Sequence, residues 1–282
     1  MKRLIHVIFQ VAALISLSGC ATNPATGRKV FDYYSWDEEV KIGQQTLSVN
    51  EQQMHKSGVP VNRDTARVAQ IQEIVHRITA VSDNPQLPYN VTLFQTNIVN
   101  AAAAPGGSMM VFQGLYDPKV GLVADNDEMA AVLGHEIAHV NCRHVTRQIC
   151  IATSFGAATE VGAEILARKN HQQVAWALRG VFAAGTTLLI PAYGRHEEAE
   201  ADHLGTLYMA RAGYDPRAAV RIWKRAMEQA GGKHDSTSIF ATHPSDKARY
   251  EALLRLLPDA MEEYRKTTGH YPPGYDPAHP AP

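Results

Sequence analysis

The residues best equipped for chemistry lie in one pentapeptide, His135-Glu136-Ile137-Ala138-His139. On a helix, residues four apart share a face, one turn from each other. His135 and His139 can therefore offer two imidazole nitrogens to one metal ion. Zinc suits such a pair, because it accepts nitrogen and oxygen ligands in a tetrahedron and has no redox chemistry to control. Glu136 lies about 100° further round the helix, in line with Val132 and Val140. Apolar flanks desolvate its carboxylate, raise its pKa and make it a better proton acceptor for a metal-bound water.

A catalytic zinc needs a third protein ligand and a water. His144 is nine residues beyond His135, about 180° round a continuous helix, so it cannot reach the same ion. The metzincin spacing would place Gly at 142 and His at 145; the chain has Cys142 and Val145 there, which excludes it. The better third ligand is Glu198, in Glu198-Ala-Glu-Ala-Asp202. Glu198 and Asp202 share a helical face, and Gly205 continues it with room for a close helix contact. Glu198 would bind the metal, and Asp202 would accept the free N–H of a zinc-bound histidine and fix its tautomer. Glu197 and Glu200 point elsewhere.

These groups need particular elements to carry them. Asp125 followed by Glu128 is a capping box with Asp in the Ser/Thr position, and it opens a helix through the pentapeptide. Ser35 to Glu38 is another, opening a polar amphipathic helix to about residue 56. Asp64 begins a third helix, with Val68, Ile71, Ile74, Val75 and Ile78 as its core stripe. Tyr89–Thr96 and Ser108–Gly114 read as strands, with a Pro105-Gly106-Gly107 turn before the second. A small sheet thus precedes the metal helix. If one strand lies at an edge, it can pair with an extended peptide backbone; the alternative is an ordinary sheet strand. Helices follow at 197–205, from Pro216 to about residue 230, and in a short piece to Leu257. The proline-rich residues 258–282 read as an extended C-terminal tail. Residues 174–190 are the most apolar stretch of the body, interrupted by Arg179 and two glycines and just short of spanning length. They read as a buried or half-buried helix, with a membrane-contacting or lid helix as the alternative.

The chain has 282 residues, 45% hydrophobic and 20% charged, with a formal net charge of −1. That is enough to bury a core, and it offers no basic surface for nucleic acid. Residues 1–19 begin Met1-Lys2-Arg3 and continue as a short apolar run ending in small residues, the form of a secretory signal. Leu17-Ser18-Gly19-Cys20 resembles the lipobox of bacterial lipoproteins. That resemblance implies cleavage before Cys20, acylation of its thiol and amine, and a membrane anchor, with residues 20–35 as a lipidated tether. In a Gram-negative bacterium, Ala21 in place of an aspartate would point to the outer membrane, facing the periplasm. Cys142 and Cys150, eight residues apart on one expected helix, would stand about 12 Å apart, too far for a disulfide, which needs less than about 7 Å.

His135-Glu-Ile-Ala-His139, Arg195-x-x-Glu198-x-x-x-Asp202-x-x-Gly205 and Thr242-His-Pro-Ser245 with Arg249 together resemble peptidase family M48. Asn100-Ala-x-Ala-x-Pro-Gly-Gly is similar to a strand segment of that family, with Pro105 one residue late. The resemblance covers roughly residues 36–256. It implies a predominantly helical α+β, zincin-like metalloprotease domain over 36–257, with a small sheet beside the metal helix and one zinc ion per chain. With the lipobox, it implies a periplasmic lipoprotein of outer-membrane quality control, acting on unfolded or stalled outer-membrane and periplasmic proteins beside an assembly machine.

The chemistry expected is peptide hydrolysis, with Glu136 as the base. His243 would either stabilise the oxyanion or occupy the fourth zinc position at rest. The rival reading is a non-enzymatic periplasmic chaperone or assembly factor with a structural zinc; such sites are closed and richer in cysteine. A membrane-embedded protease is disfavoured, because no long uninterrupted apolar run is present.

Overall fold

The computed structural model describes residues 20–154, 164, 193–229, 239, 243 and 247–278. The expected signal segment 1–19 and the apolar segment 174–190 lie outside the described residues. The chain divides into two compact units, one of residues 1–35 with 143–191, the other of 36–142 with 192–282. The single body expected over 36–257 thus carries an insertion belonging to a separate unit. The architecture is predominantly helical α+β.

In the first unit, β1 (Cys20–Thr22) and β2 (Lys29–Phe31) form an antiparallel hairpin. Asn23 turns it by accepting the N–H groups of Ala25 and Thr26 at 2.9 and 3.2 Å. Asp32 is buried and pairs with Arg143 at 3.0 Å. Composition alone reads this stretch as a tether; the hairpin and the buried ion pair give it structure instead. Residues 144–154 are helical. Cys142 and Cys150 are buried thiols and form no disulfide.

The second unit holds the pentapeptide. Its first helices are α1 (Trp36–Lys56) and α2 (Thr65–Thr79). Asp64 caps α2 by accepting the N–H of Arg67, and Ile71, Ile74, Val75 and Ile78 are buried as the stripe requires. Strands β3 (Asn90–Phe94), β4 (Ala101–Ala103) and β5 (Ser108–Phe112) make one sheet in the order β3-β5-β4. β3 runs parallel to β5, and β4 runs antiparallel to it. The 104–108 corner is a turn with Gly106 at φ +68° and Gly107 at φ +98°. It lies under α1 so closely that a Cβ on Gly106 would stand 2.4 Å from the Cα of Val40.

Helix α3 (Asn126–Asn141) carries the pentapeptide and is buried from Glu128 to Asn141. Asp125 accepts the N–H of Glu128 at 2.8 Å, and the Glu128 carboxylate reaches back to the N–H of Ala124 at 2.8 Å. Helix α4 (Arg195–Arg211) packs against α3 through Gly134 and Gly205. A Cβ on Gly205 would fall 2.7 Å from the carbonyl carbon of Gly134. Helices α5 (Arg217–Gln229) and α6 (Lys247–Thr268) complete the unit.

One element differs from expectation. Helix α6 does not stop at Leu257 but runs eleven residues further, through Pro258. Proline removes one helical N–H and costs about 3 kcal/mol in a helix interior. Here Leu253, Leu256 and Leu257 before it and Ala260, Met261 and Tyr264 after it are all buried, and their packing outweighs that cost. The extended tail is therefore confined to residues after Thr268. β4, an all-alanine strand, falls where the family resemblance puts a strand segment, though composition alone gives no sign of it. Alanine is the best helix former; main-chain pairing to β5 and packing on α3 override that preference.

Candidate metal centre

The α3–α4 contact sets the geometry of the site. With backbones touching at Gly134 and Gly205, His135 and His139 of α3 face Glu198 and Asp202 of α4. His135 Nε2 and His139 Nε2 are 3.0 Å apart. Glu198 Oε2 is 3.6 Å from His135 Nε2, and Oε1 is 3.5 Å from His139 Nε2. His243 joins them, with Nδ1 3.2 Å from His135 Nε2 and 3.0 Å from Glu198 Oε1. The ligand atoms of all four residues lie within 4.8 Å of one another, and all four are buried.

These residues fit a metal. A tetrahedral zinc with bonds of about 2.0–2.1 Å holds its ligand atoms about 3.3 Å apart, close to the separations seen. Hydrogen bonding alone accounts for them poorly. His135 Nδ1 lies 3.0 Å from Asp202 Oδ1, which favours the proton on Nδ1. Its Nε2 lone pair then faces two further imidazole nitrogens and a carboxylate. A cation between them satisfies every lone pair at once. The donor set, imidazole and carboxylate without thiolate, suits zinc.

Glu136 is fully buried beside this cluster. Its Oε2 accepts the N–H of Ala103 in β4 at 3.1 Å, and Oε1 lies 3.3 Å from His243 Nε2. Burial raises its pKa above the ordinary carboxylate value, against the lowering pull of His243 and His135. Burial would also raise Glu198, but the imidazoles of His139, His243 and His135 around it outweigh that and hold this carboxyl far below the usual range. Asp202 is likewise desolvated, and the Arg249 guanidinium keeps it below its ordinary value.

The edge of the sheet faces this group. β4 bonds to β5 through Asn100 and Ala104, with Phe112 N donating to Asn100 O at 3.1 Å and Ala104 N to Ser108 O at 2.8 Å. Strand alternation then turns the N–H and C=O of Ala101 and Ala103 to the other side, where Ala103 meets Glu136.

The structure thus brings together His135, Glu136, His139, Glu198, Asp202 and His243, all singled out in the sequence. Cys20 lies in β1, in the other unit. Two neighbours carried no sequence signal of their own. Tyr193 stacks on His139 with ring centroids 3.8 Å apart. Trp223 meets the His135 ring edge-on at 5.2 Å and lies under the Arg249 guanidinium at 4.2 Å. A position just before the α4 N-terminus marks Tyr193 only in hindsight, and Trp223 reads as an ordinary core residue of an amphipathic helix.

The sequence also matches known proteins. The profile of peptidase family M48 matches residues 65–257. The mitochondrial metalloendopeptidase OMA1 of Schizosaccharomyces pombe is 29% identical over 252 residues, covering 88% of this chain and 69% of its own. The beta-barrel assembly-enhancing protease of Escherichia coli is 27% identical over 198 residues, covering 69% of this chain and 39% of its own. The mitochondrial metalloendopeptidase OMA1 of Arabidopsis thaliana is 32% identical over 190 residues, covering 66% of this chain and 36% of its own. The chain therefore spans well under half the length of the last two.

Proposed function

The chain belongs to peptidase family M48 and is a metalloprotease, and on that premise we propose that it is a zinc-dependent endopeptidase whose ion is held by His135, His139 and Glu198. One observation carries the proposal: two imidazoles of α3 and a carboxylate of α4 converge at tetrahedral spacing, with a second, desolvated carboxylate beside them. When bound, zinc would polarise the scissile carbonyl and acidify a water. Glu136 takes the proton of that water and returns it to the leaving amine. Its burial and raised pKa suit it to accept that proton. Asp202 holds His135 in the tautomer that leaves Nε2 bare.

The outer edge of β4 supports a mode of substrate binding. An extended peptide pairs with the main chain of Ala101 and with the carbonyl of Ala103, whose N–H is held by Glu136, and is bound with little reading of its sequence. Such binding suits unfolded chains. His243 Nδ1 lies within the ligand cluster, which favours the resting-state role over the oxyanion role: His243 would be a fourth ligand to a bound ion and would have to leave before a water could take its place.

Placement belongs to the same proposal. A lipid on Cys20 would anchor the protein at the outer membrane, facing the periplasm, where unfolded or stalled outer-membrane proteins are the substrates and their assembly machine a partner. The name of the Escherichia coli relative supports this reading; the OMA1 relatives are named for mitochondria. Among the described residues no helix is long and apolar enough to cross a membrane.

A second reading is favoured by one feature. Four protein ligands close a site, as in structural zinc centres, and His243 supplies a fourth. The non-enzymatic chaperone therefore stands as the rival. Casein digestion with and without a chelator, alongside zinc quantification and a Glu136→Gln control, separates the two. The protease gives one zinc per chain, digestion abolished by chelator, and a zinc-loaded Glu136→Gln that cuts nothing. Digestion retained in that variant overturns the role of Glu136; a zinc-loaded parent and His243→Ala that both fail to digest point to the chaperone.

A further inference from the structure

Arg249 is a buried cation that none of the steps above uses. It enters from the first turn of α6 and reaches α4. Its Nε donates to Asp202 Oδ2 and its Nη2 to Asp202 Oδ1, both at 2.7 Å. Its third nitrogen, Nη1, lies 2.5 Å from Glu198 Oε2. The plane of the guanidinium rests on Trp223, whose edge meets His135. One rigid fork thus addresses both acids of α4, one helical turn apart.

The physical need for it is plain. Glu198 and Asp202 are both almost completely buried. A buried carboxylate is costly unless it is paired, and the one guanidinium stands against both of these. Geometry adds a second effect. With Oε2 held by Arg249, the carboxylate of Glu198 presents Oε1, which lies 3.0 Å from His243 Nδ1 and 3.5 Å from His139 Nε2.

We infer that Arg249 is a positioning residue of the metal centre: it fixes which oxygen Glu198 offers to the ion and holds Asp202 against His135 Nδ1. The inference rests on the reading of the cluster as a metal centre. A lysine cannot do the same, because a point charge lacks the planar fork that meets Asp202 with two parallel donors while setting a third nitrogen in an ion pair with Glu198.

The test is zinc affinity, measured by chelator competition on the full chain for the parent, R249K and R249A, each with and without low-millimolar guanidinium. Circular dichroism of the zinc-free proteins checks the fold. Arg249→Lys and Arg249→Ala should each bind zinc about 10- to 100-fold more weakly than the parent. Added guanidinium should restore affinity in Arg249→Ala and leave the parent unchanged. A role confined to tying α6 to α4 would lower the zinc-free melting temperature without this rescue of affinity. If Arg249→Ala does not fold, Arg249→Lys decides: weakened zinc binding in a folded protein sustains the inference, and parental affinity overturns it. Parental affinity in a folded Arg249→Ala overturns it as well. A parent that binds no zinc would instead bring down the metal-centre reading itself.

Discussion

Gly134 of α3 and Gly205 of α4 meet backbone to backbone. A Cβ on Gly205 would stand 2.7 Å from the carbonyl carbon of Gly134, and one on Gly134 would stand 2.8 Å from the carbonyl oxygen of Gly205. No flexible side chain can yield at this contact, so α3 and α4 must separate to admit a methyl group. Both metal-binding faces move apart when they do.

Gly205→Ala should therefore destabilise the protein by about 1–3 kcal/mol, the usual cost of overpacking, and weaken zinc binding as well. Thermal unfolding with and without zinc checks this. The zinc-induced gain in melting temperature should shrink in the variant. A gain equal to the parent's would show that the spacing of the two helices does not set the site.

At the other end of α3, Glu128 joins the helix to α5. Its carboxylate takes Arg225 Nη1 and Nη2 at 2.8 and 3.1 Å. Burial alone would raise its pKa, but the hydrogen bonds from Arg225, Ala124 N and Arg221 prevail and leave it below the ordinary 4.5. A depressed carboxylate contributes stability above its unfolded pKa and loses it as pH falls through the folded one. Glu128→Gln should melt below the parent at neutral pH, and the gap should narrow as pH drops below 4.5. A gap that stays constant down to pH 3 would contradict the assignment.

His243 Nδ1 lies among the metal-binding atoms while its Nε2 faces Glu136. His243→Ala should keep zinc, through the other three ligands, and should digest casein faster than the parent. Slower digestion with zinc retained would return His243 to the oxyanion role.

How far the sequence discloses such a site depends on whether a pattern is local. His135, Glu136 and His139 share one helix, and so do Glu198 and Asp202, so their spacing announces a common face before any fold is known. The core stripe of α2 and the cap at Asp125 are legible for the same reason. β4 is legible only through the family resemblance of its stretch, because three alanines carry no strand preference and pairing to β5 makes them a strand. Helix α6 is misjudged at Pro258, where a local rule is overridden by buried side chains on both sides. Tyr193 and Trp223 gain their importance only from what α3 and α6 bring to them. Arg249 shows up in sequence as one residue of a motif, and its fork across Glu198 and Asp202 becomes visible only in three dimensions.

Zinc K-edge absorption on the metal-loaded protein tests the central claim most directly. A first shell of nitrogen and oxygen at about 2.0–2.1 Å, with imidazole scattering that falls by one ring in His243→Ala and by one more in His139→Ala, is the result this structure predicts. A sulfur scatterer near about 2.3 Å, or a spectrum indifferent to both substitutions, would contradict it.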